Sequence, residues 1–151
     1  MSFFRAGRLR RIACLAARIA LGGIFLYAST DKIAHPLDFA QAVYNYQILP
    51  GAAVNPAALI LPWLELLTGI CLIAGFWLPG AALLSTGLLT VFIGALVFNL
   101  IRGLDVHCGC FSTAADAGAA GLWTVVRDVV FLAVSVYLTV AVLFKPSAAE
   151  G

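Results

Sequence analysis

The sequence predicts an all-α integral membrane protein: a bundle of four spanning helices with one short helix in the first outer loop. Three observations predict it. Of the 151 residues, 63% are hydrophobic and 11% charged, against roughly 45–50% and about 25% in a typical soluble domain. Four stretches run nearly uncharged for about the 20 residues that a ~30 Å hydrocarbon core demands. A single domain of this length has too little interior to hide so much apolar surface from water, so lipid is the solvent that suits it.

The first span, 12–33, is apolar apart from Arg18 near its start and Asp31 and Lys32 near its end. Arg5, Arg8, Arg10 and Arg11 precede it, as basic residues precede a secretory signal. Arg18 interrupts the apolar run, however, and no small-residue cleavage site followed by polar sequence appears, so an uncleaved helix is expected. The second span, 56–78, carries only Glu65, and the third, 80–101, carries no charge. The fourth, 122–144, carries the adjacent pair Arg127 and Asp128. Glycines 22, 23, 69, 75, 87 and 94 are expected at close helix contacts, where a missing side chain lets backbones approach. The whole of 1–151 reads as one membrane domain.

Basic residues near span ends set the orientation. Four arginines flank the first span and Lys145 follows the last, whereas the opposite side has Lys32, Arg102 and, just inside the fourth span, Arg127. Both termini are therefore expected in the cytoplasm, in the inner (plasma) membrane. Two longer loops, 35–55 and 102–121, then face outward. The small net charge of +2 suggests no nucleic-acid partner; the bilayer itself is the first partner.

The first outer loop has a pattern of its own. Pro36 suits the first position of a helix. Phe39, Val43 and Tyr46 follow at helical spacing, with Gln41, Asn45 and Gln47 between them. A short amphipathic helix at the interface is expected, with Tyr44 and Tyr46 at headgroup depth. Pro50 and Pro56 bracket the turn into the second span.

Chemistry is expected at His107, Cys108, Gly109, Cys110 and Phe111 in the second outer loop. A disulfide across one intervening residue closes a small ring that departs from relaxed geometry and is more readily reduced. Gly109 tolerates the unusual backbone angles. Such a pair is a poor staple and a suitable exchange site in an oxidising compartment. His107 beside it favours the thiolate when protonated, or relays a proton. Thiol–disulfide exchange is the leading reading. Two others stay open: Cu(I) or Zn(II) held by Cys108, Cys110 and His107, and a static disulfide or a pair of thiols that pins the loop. Cys14 and Cys71, inside spans, read as small buried apolar residues.

Intramembrane charge is the second signal, because charged groups in lipid face the bundle interior and pair. Arg18 lies ~9 Å from the inner face and Glu65 ~14 Å from the outer one, at 1.5 Å per residue. Their side chains together bridge the difference in height, so an Arg18–Glu65 pair is geometrically allowed, as a structural pin or a functional pair, unless Arg18 snorkels to the inner interface. Asp31, Lys32, Asn99, Arg102, Arg127 and Asp128 gather near the outer ends. They read either as interfacial anchors or as a polar pocket below the cysteine loop, walled by Tyr27, Trp63 and Trp123. No cofactor is required by the sequence, but a quinone head group suits such a pocket.

These motifs resemble the DoxX-like superfamily of four-helix membrane proteins, and within it the MauE (methylamine utilisation) family. The resemblance rests on Arg18, Gly22, Gly23 and Phe25 leading to Asp31-Lys32, on Pro36-Leu37-Asp38-Phe39, and on Tyr46-Gln47-Ile48-Leu49-Pro50. It continues through Leu61-Pro62-Trp63-Leu64-Glu65 to Gly69, then the Arg127-Asp128 pair. The Cys108-Gly109-Cys110-Phe111 element carries the likeness to MauE; Ser112 stands where that family usually has glycine. The resemblance implies a membrane component of periplasmic disulfide handling, acting with a thioredoxin-like partner. In that family the setting is maturation of methylamine dehydrogenase with the partner MauD. The alternative is a non-catalytic scaffold or a metal-binding module.

Overall fold

The computed structural model describes residues 2–103 and 122–144. They form five helices: α1 (Ser2–Ala34), α2 (Pro36–Asn45), α3 (Gly51–Ala74), α4 (Leu78–Ile101) and α5 (Leu122–Leu143). No strand occurs among the described residues. Four of the helices are long and apolar enough to cross a membrane, over Arg8–Ala34, Gly51–Ala74, Leu78–Ile101 and Trp123–Leu143. The expected all-α four-span architecture is what the chain adopts.

The helix ends follow local chemistry. α1 starts well before position 12, because its arginines are good helix formers and no proline intervenes. α3 begins at Gly51 rather than 56, directly after Pro50, whose extended backbone (φ −61°, ψ 145°) ends the preceding turn. Pro56 and Pro62 therefore lie inside α3, as membrane helices packed among neighbours tolerate. α3 stops at Ala74 because Gly75 takes the left-handed conformation (φ 78°) and its N–H closes on the carbonyl of Cys71 at 2.9 Å, the usual glycine cap. The turn to α4 thus sits at 75–77, ahead of the break at position 79 between the expected spans 56–78 and 80–101, and Pro79 falls in the first turn of α4 where its lost N–H costs nothing.

The helices form a closed ring in the order α1, α3, α4, α5, in which backbones approach only around the ring and side chains alone meet across its diagonal, and α2 packs on α1 and α3. Neighbours are antiparallel: Arg10 near the start of α1 donates to the Ala141 carbonyl near the end of α5 (3.2 Å). α1 and α3 touch backbone to backbone at Gly22 and Gly69, where a Cβ on either would lie 3.0 Å from the other's carbonyl oxygen. Gly23, Gly87 and Gly94 face open space, so the close-contact expectation fails for them. α4 and α5 are joined by hydroxyls: Ser85 to Ser135 (2.7 Å), Thr86 to Ser135 (2.8 Å) and Thr86 to Thr139 (3.0 Å).

The distribution of polarity is inverted relative to a soluble protein. A core of Leu21, Phe25, Leu72, Ala81, Ala82, Leu88, Leu89 and Leu138 shares the interior with Ser85, Asn99, Ser135, Lys32, Glu65 and Asp128, while Leu15, Ile19, Ile60, Leu67, Leu83 and Val130 face outward. Polar groups inside and apolar ones outside is the arrangement lipid selects. This is a multi-pass membrane protein.

α2 forms where a short helix is expected but ends at Asn45, with Tyr46 as its C-cap. Pro36 occupies its first position, Phe39 is buried, Ala42, Val43 and Tyr46 are half-buried, and Leu37, Gln41 and Tyr44 are exposed. Its inner face lies on the end of the bundle where α1 finishes and α3 starts.

Candidate functional site

At that end, beneath α2, the interior holds an ion pair. The Lys32 ammonium donates to both carboxylate oxygens of Glu65, at 2.6 and 2.8 Å, and each residue is 1% exposed. Phe39 of α2 and Phe92 of α4 lie against the ammonium with ring centroids at 5.1 and 5.0 Å, a cation–π arrangement strengthened by the absence of water.

Side-chain direction explains why Lys32 and not Arg18 meets Glu65. Side chains lean toward the N-terminus of their own helix. α1 and α3 run oppositely, so Lys32 leans down into the bundle while Glu65 leans up toward it. Arg18 leans away from both. The Arg18–Glu65 pair that depth allows does not form; the Arg18 Nε donates to the Leu72 carbonyl (3.0 Å) and Nη2 to that of Ile73 (3.3 Å). It thereby satisfies carbonyls at the end of α3 that have no partner within the helix, and its guanidinium fills the space beside Gly75.

The remaining charged candidates divide into two groups. Asp128 is buried and accepts from Arg127 Nε (3.1 Å) and Nη2 (3.0 Å). It faces Glu65 across a gap of about 30 Å³ lined also by Phe25, Leu89 and Phe92. Asn99 is fully buried with neither amide atom hydrogen-bonded, an uncommon state for a buried amide. These two belong with Lys32 and Glu65 inside the bundle. Arg102 and Asp31 sit at its rim: Arg102 is exposed and donates to Gln47 Oε1 (3.3 Å), and the half-buried Asp31 lies 3.7 Å from His35 Nδ1.

Tyr27, Trp63 and Trp123 do not wall a pocket. They are 65%, 57% and 79% exposed and face outward, where aromatic rings suit a bilayer. The rings that lie against the Lys32 ammonium are instead Phe39 and Phe92. The helical spacing of Phe39 marked it as inward-facing; nothing in the uniformly apolar third span singled out Phe92. Cys14 and Cys71 are free, half-buried and packed against the core, close to the expected role. His107, Cys108, Gly109, Cys110 and Phe111 lie outside the described residues. Among the described residues no cluster of His, Cys, Asp and Glu is grouped to hold a metal ion.

Fold and site together define a four-span membrane protein with a buried lysine–glutamate ion pair at one end of its bundle. The comparisons with known proteins then give the family. The chain belongs to the MauE family: the family described as "Methylamine utilisation protein MauE" matches residues 10–142. The methylamine utilization protein MauE of Paracoccus denitrificans is 33% identical over 121 residues, covering 80% of this chain and 64% of the relative. That of Methylophilus methylotrophus is 32% identical over 112 residues, covering 74% and 59%, and that of Methylorubrum extorquens 38% over 85 residues, covering 56% and 46%. The chain thus spans less than two thirds of the length of the curated relatives it matches. No solved structure matches significantly.

Proposed function

We propose that this chain is the membrane component of a thiol–disulfide exchange relay on the outer side of the inner membrane, acting through Cys108 and Cys110 with a thioredoxin-like partner. The observation that carries the reading is the Cys108-Gly109-Cys110-Phe111 element in a chain of the MauE family. Support also comes from topology: the segment joins the end of α4 to the start of α5, which is the α2 end of the ring. The excess of arginines before the first span supports termini in the cytoplasm and that end outside. The relatives are named for methylamine utilisation; disulfide handling in that setting is the corresponding proposal for this chain. The wider DoxX-like relationship belongs to the same reading. Its motif residues Gly22, Lys32, Glu65 and Gly69 all lie along the α1–α3 contact.

The exchange balances in either direction. When the pair is oxidised, a partner thiolate attacks one sulfur, the Cys108–Cys110 bond breaks, a mixed disulfide forms, and the partner's second thiol releases the reduced pair. In reverse, one thiolate of the pair attacks the partner's disulfide and the other cysteine resolves it. Two electrons and two protons move each way. His107 is the adjacent proton acceptor or donor.

Trapping tests the proposal. In cells, Cys110→Ser accumulates a mixed disulfide through Cys108, or Cys108→Ser one through Cys110, visible as a band that a reductant collapses. If neither variant traps a partner and the double variant retains function, exchange is ruled out. Copper or zinc bound stoichiometrically to the purified protein, and lost on thiol alkylation, points instead to a metal-binding module.

A further inference from the structure

The two ends of the bundle treat their cations differently. At the α2 end, Lys32 has Glu65 beside it and Arg127 has Asp128. At the other end α1 brings Arg8, Arg10, Arg11 and Arg18, and no carboxylate of the described residues pairs with any of them. None is at hand: positions 1–30, 66–104 and 129–149 hold no Asp or Glu. Those stretches supply the start of α1, the end of α3, the start of α4 and the end of α5.

Arg18 is the member that the fold holds still. Its guanidinium lies against Gly75, with Nε on the Leu72 carbonyl and Nη2 on that of Ile73. A guanidinium has five N–H donors, so three remain, and no other oxygen of the described residues accepts from them. The two carbonyls cap a helix end but neutralise no charge. Trp77, exposed at the same turn, is a residue type that collects at headgroup depth. Arg11 is exposed and has no hydrogen bond or ion pair among the described residues. It precedes Arg18 by seven residues, on the same side of α1 and ~10 Å along its axis, within about one Debye length. Leu15 and Ile19, both exposed, make the neighbouring surface of α1 apolar.

These features restrict the occupant. A fixed guanidinium with unmet donors fits an oxyanion such as phosphate, which it can hold through two parallel bonds. The apolar surface around it suits an oxyanion that carries hydrocarbon chains. A zwitterionic headgroup would bring its own cation toward Arg11, whereas a headgroup of net negative charge satisfies both arginines. We infer that Arg18 and Arg11 form a seat for an anionic phospholipid beside the end of α3. Its phosphate oxygens accept from the Arg18 guanidinium, Arg11 adds a second positive charge, and its acyl chains lie over Leu15 and Ile19. The seat uses no residue of the cysteine segment, so it stands or falls independently of thiol exchange.

Native mass spectrometry of the full-length protein tests it, after equilibration in detergent with equimolar dioleoylphosphatidylglycerol and dioleoylphosphatidylcholine. The parent should retain the glycerol lipid at least fivefold over the choline lipid. That preference should fall at least threefold in Arg11→Gln and in Arg18→Gln. It should hold at the parent value in Arg102→Gln, which removes the same charge from an exposed position at the other end of the bundle. Arg18→Gln also strips the α3 carbonyls of their cap; where it yields no folded protein, Arg11→Gln carries the test. Excess inorganic phosphate should leave the bound lipid in place. Equal retention of the two lipids by the parent overturns the inference, as does the parent's preference in a folded Arg11→Gln or Arg18→Gln. An equal fall in Arg102→Gln overturns it by assigning the preference to net charge alone, and displacement by inorganic phosphate does so by making the seat a site for a free anion.

Discussion

Lys32 and Glu65 face each other across the α1–α3 contact with 2.6 and 2.8 Å between the ammonium and the two carboxylate oxygens. Both are sealed from solvent, and two phenylalanine rings close over the cation. A pair of this kind is costly to bury and more costly to break, since removing one member strands the other charge. Lys32→Met and Glu65→Leu should each lower stability by about 3–5 kcal/mol. The double variant should recover most of that loss, because no charge is then left alone. Denaturant titration in a single detergent, with all three variants and the parent, measures this. A double variant as unstable as the sum of the singles would refute the pairing.

Arg18 works on a different part of the molecule from Glu65. It caps the carbonyls of Leu72 and Ile73. The energetic signature is the absence of coupling: distant sites add to within about 0.3–0.5 kcal/mol. A double-mutant cycle of Arg18→Leu with Glu65→Gln should therefore close to within that margin, while the cycle of Lys32→Met with Glu65→Leu should not. Strong coupling in the first cycle would restore the Arg18–Glu65 pair that axial depth alone suggests.

The α1–α3 contact depends on two missing side chains. A Cβ at Gly69 would lie 3.0 Å from the Gly22 carbonyl oxygen, and one at Gly22 would lie 2.5 Å from Ile73 Cγ1. Gly69→Val should cost about 1–3 kcal/mol, the usual penalty of overpacking. Gly87→Val, on an open face, should be nearly neutral. Thermal unfolding of the two variants side by side checks the contrast; equal losses would mean that α1 and α3 do not approach as described.

How much of this was legible in the sequence depends on which physical signal each feature leaves. The four spans left the strongest one, since a charge is excluded from lipid wherever it lacks a partner, and uncharged length is easily read. α2 was legible because it is amphipathic: Pro36, Phe39, Val43 and Tyr46 mark its start and its inner face. The rotation of the long helices was not legible. A helix apolar all round has no moment to say which face turns inward, so Tyr27, Trp63 and Trp123 were read as pocket walls when they face out, and Phe92 passed unnoticed. The same blindness assigned Gly23, Gly87 and Gly94 to contacts they do not make. The partner of Glu65 was missed for another reason. Counting residues along an axis gives depth but ignores the tilt of Cβ toward the helix N-terminus, which brings Lys32 to Glu65 and takes Arg18 away.

The hydroxyl cluster between α4 and α5 yields a last prediction from proton counting. Ser85 and Thr86 each have the Ala82 carbonyl within reach (2.9 and 3.0 Å), and Thr139 has that of Ser135 (2.9 Å). Each hydroxyl owns a single proton. If those three go to their own helices, Ser135 holds the one left for a bond between helices, and it has two acceptors to choose from: Ser85 at 2.7 Å and Thr86 at 2.8 Å. Ser85→Ala and Thr86→Ala should then be mild, because Ser135 donates to whichever oxygen remains. Ser135→Ala removes the donor and should cost more than either, on the scale of about 0.6–1.7 kcal/mol found for hydrogen bonds between membrane helices. Hydrogen exchange at the α5 amides of residues 134–139 should rise in Ser135→Ala and change little in the other two. Equal effects for all three variants would show that the protons are distributed otherwise.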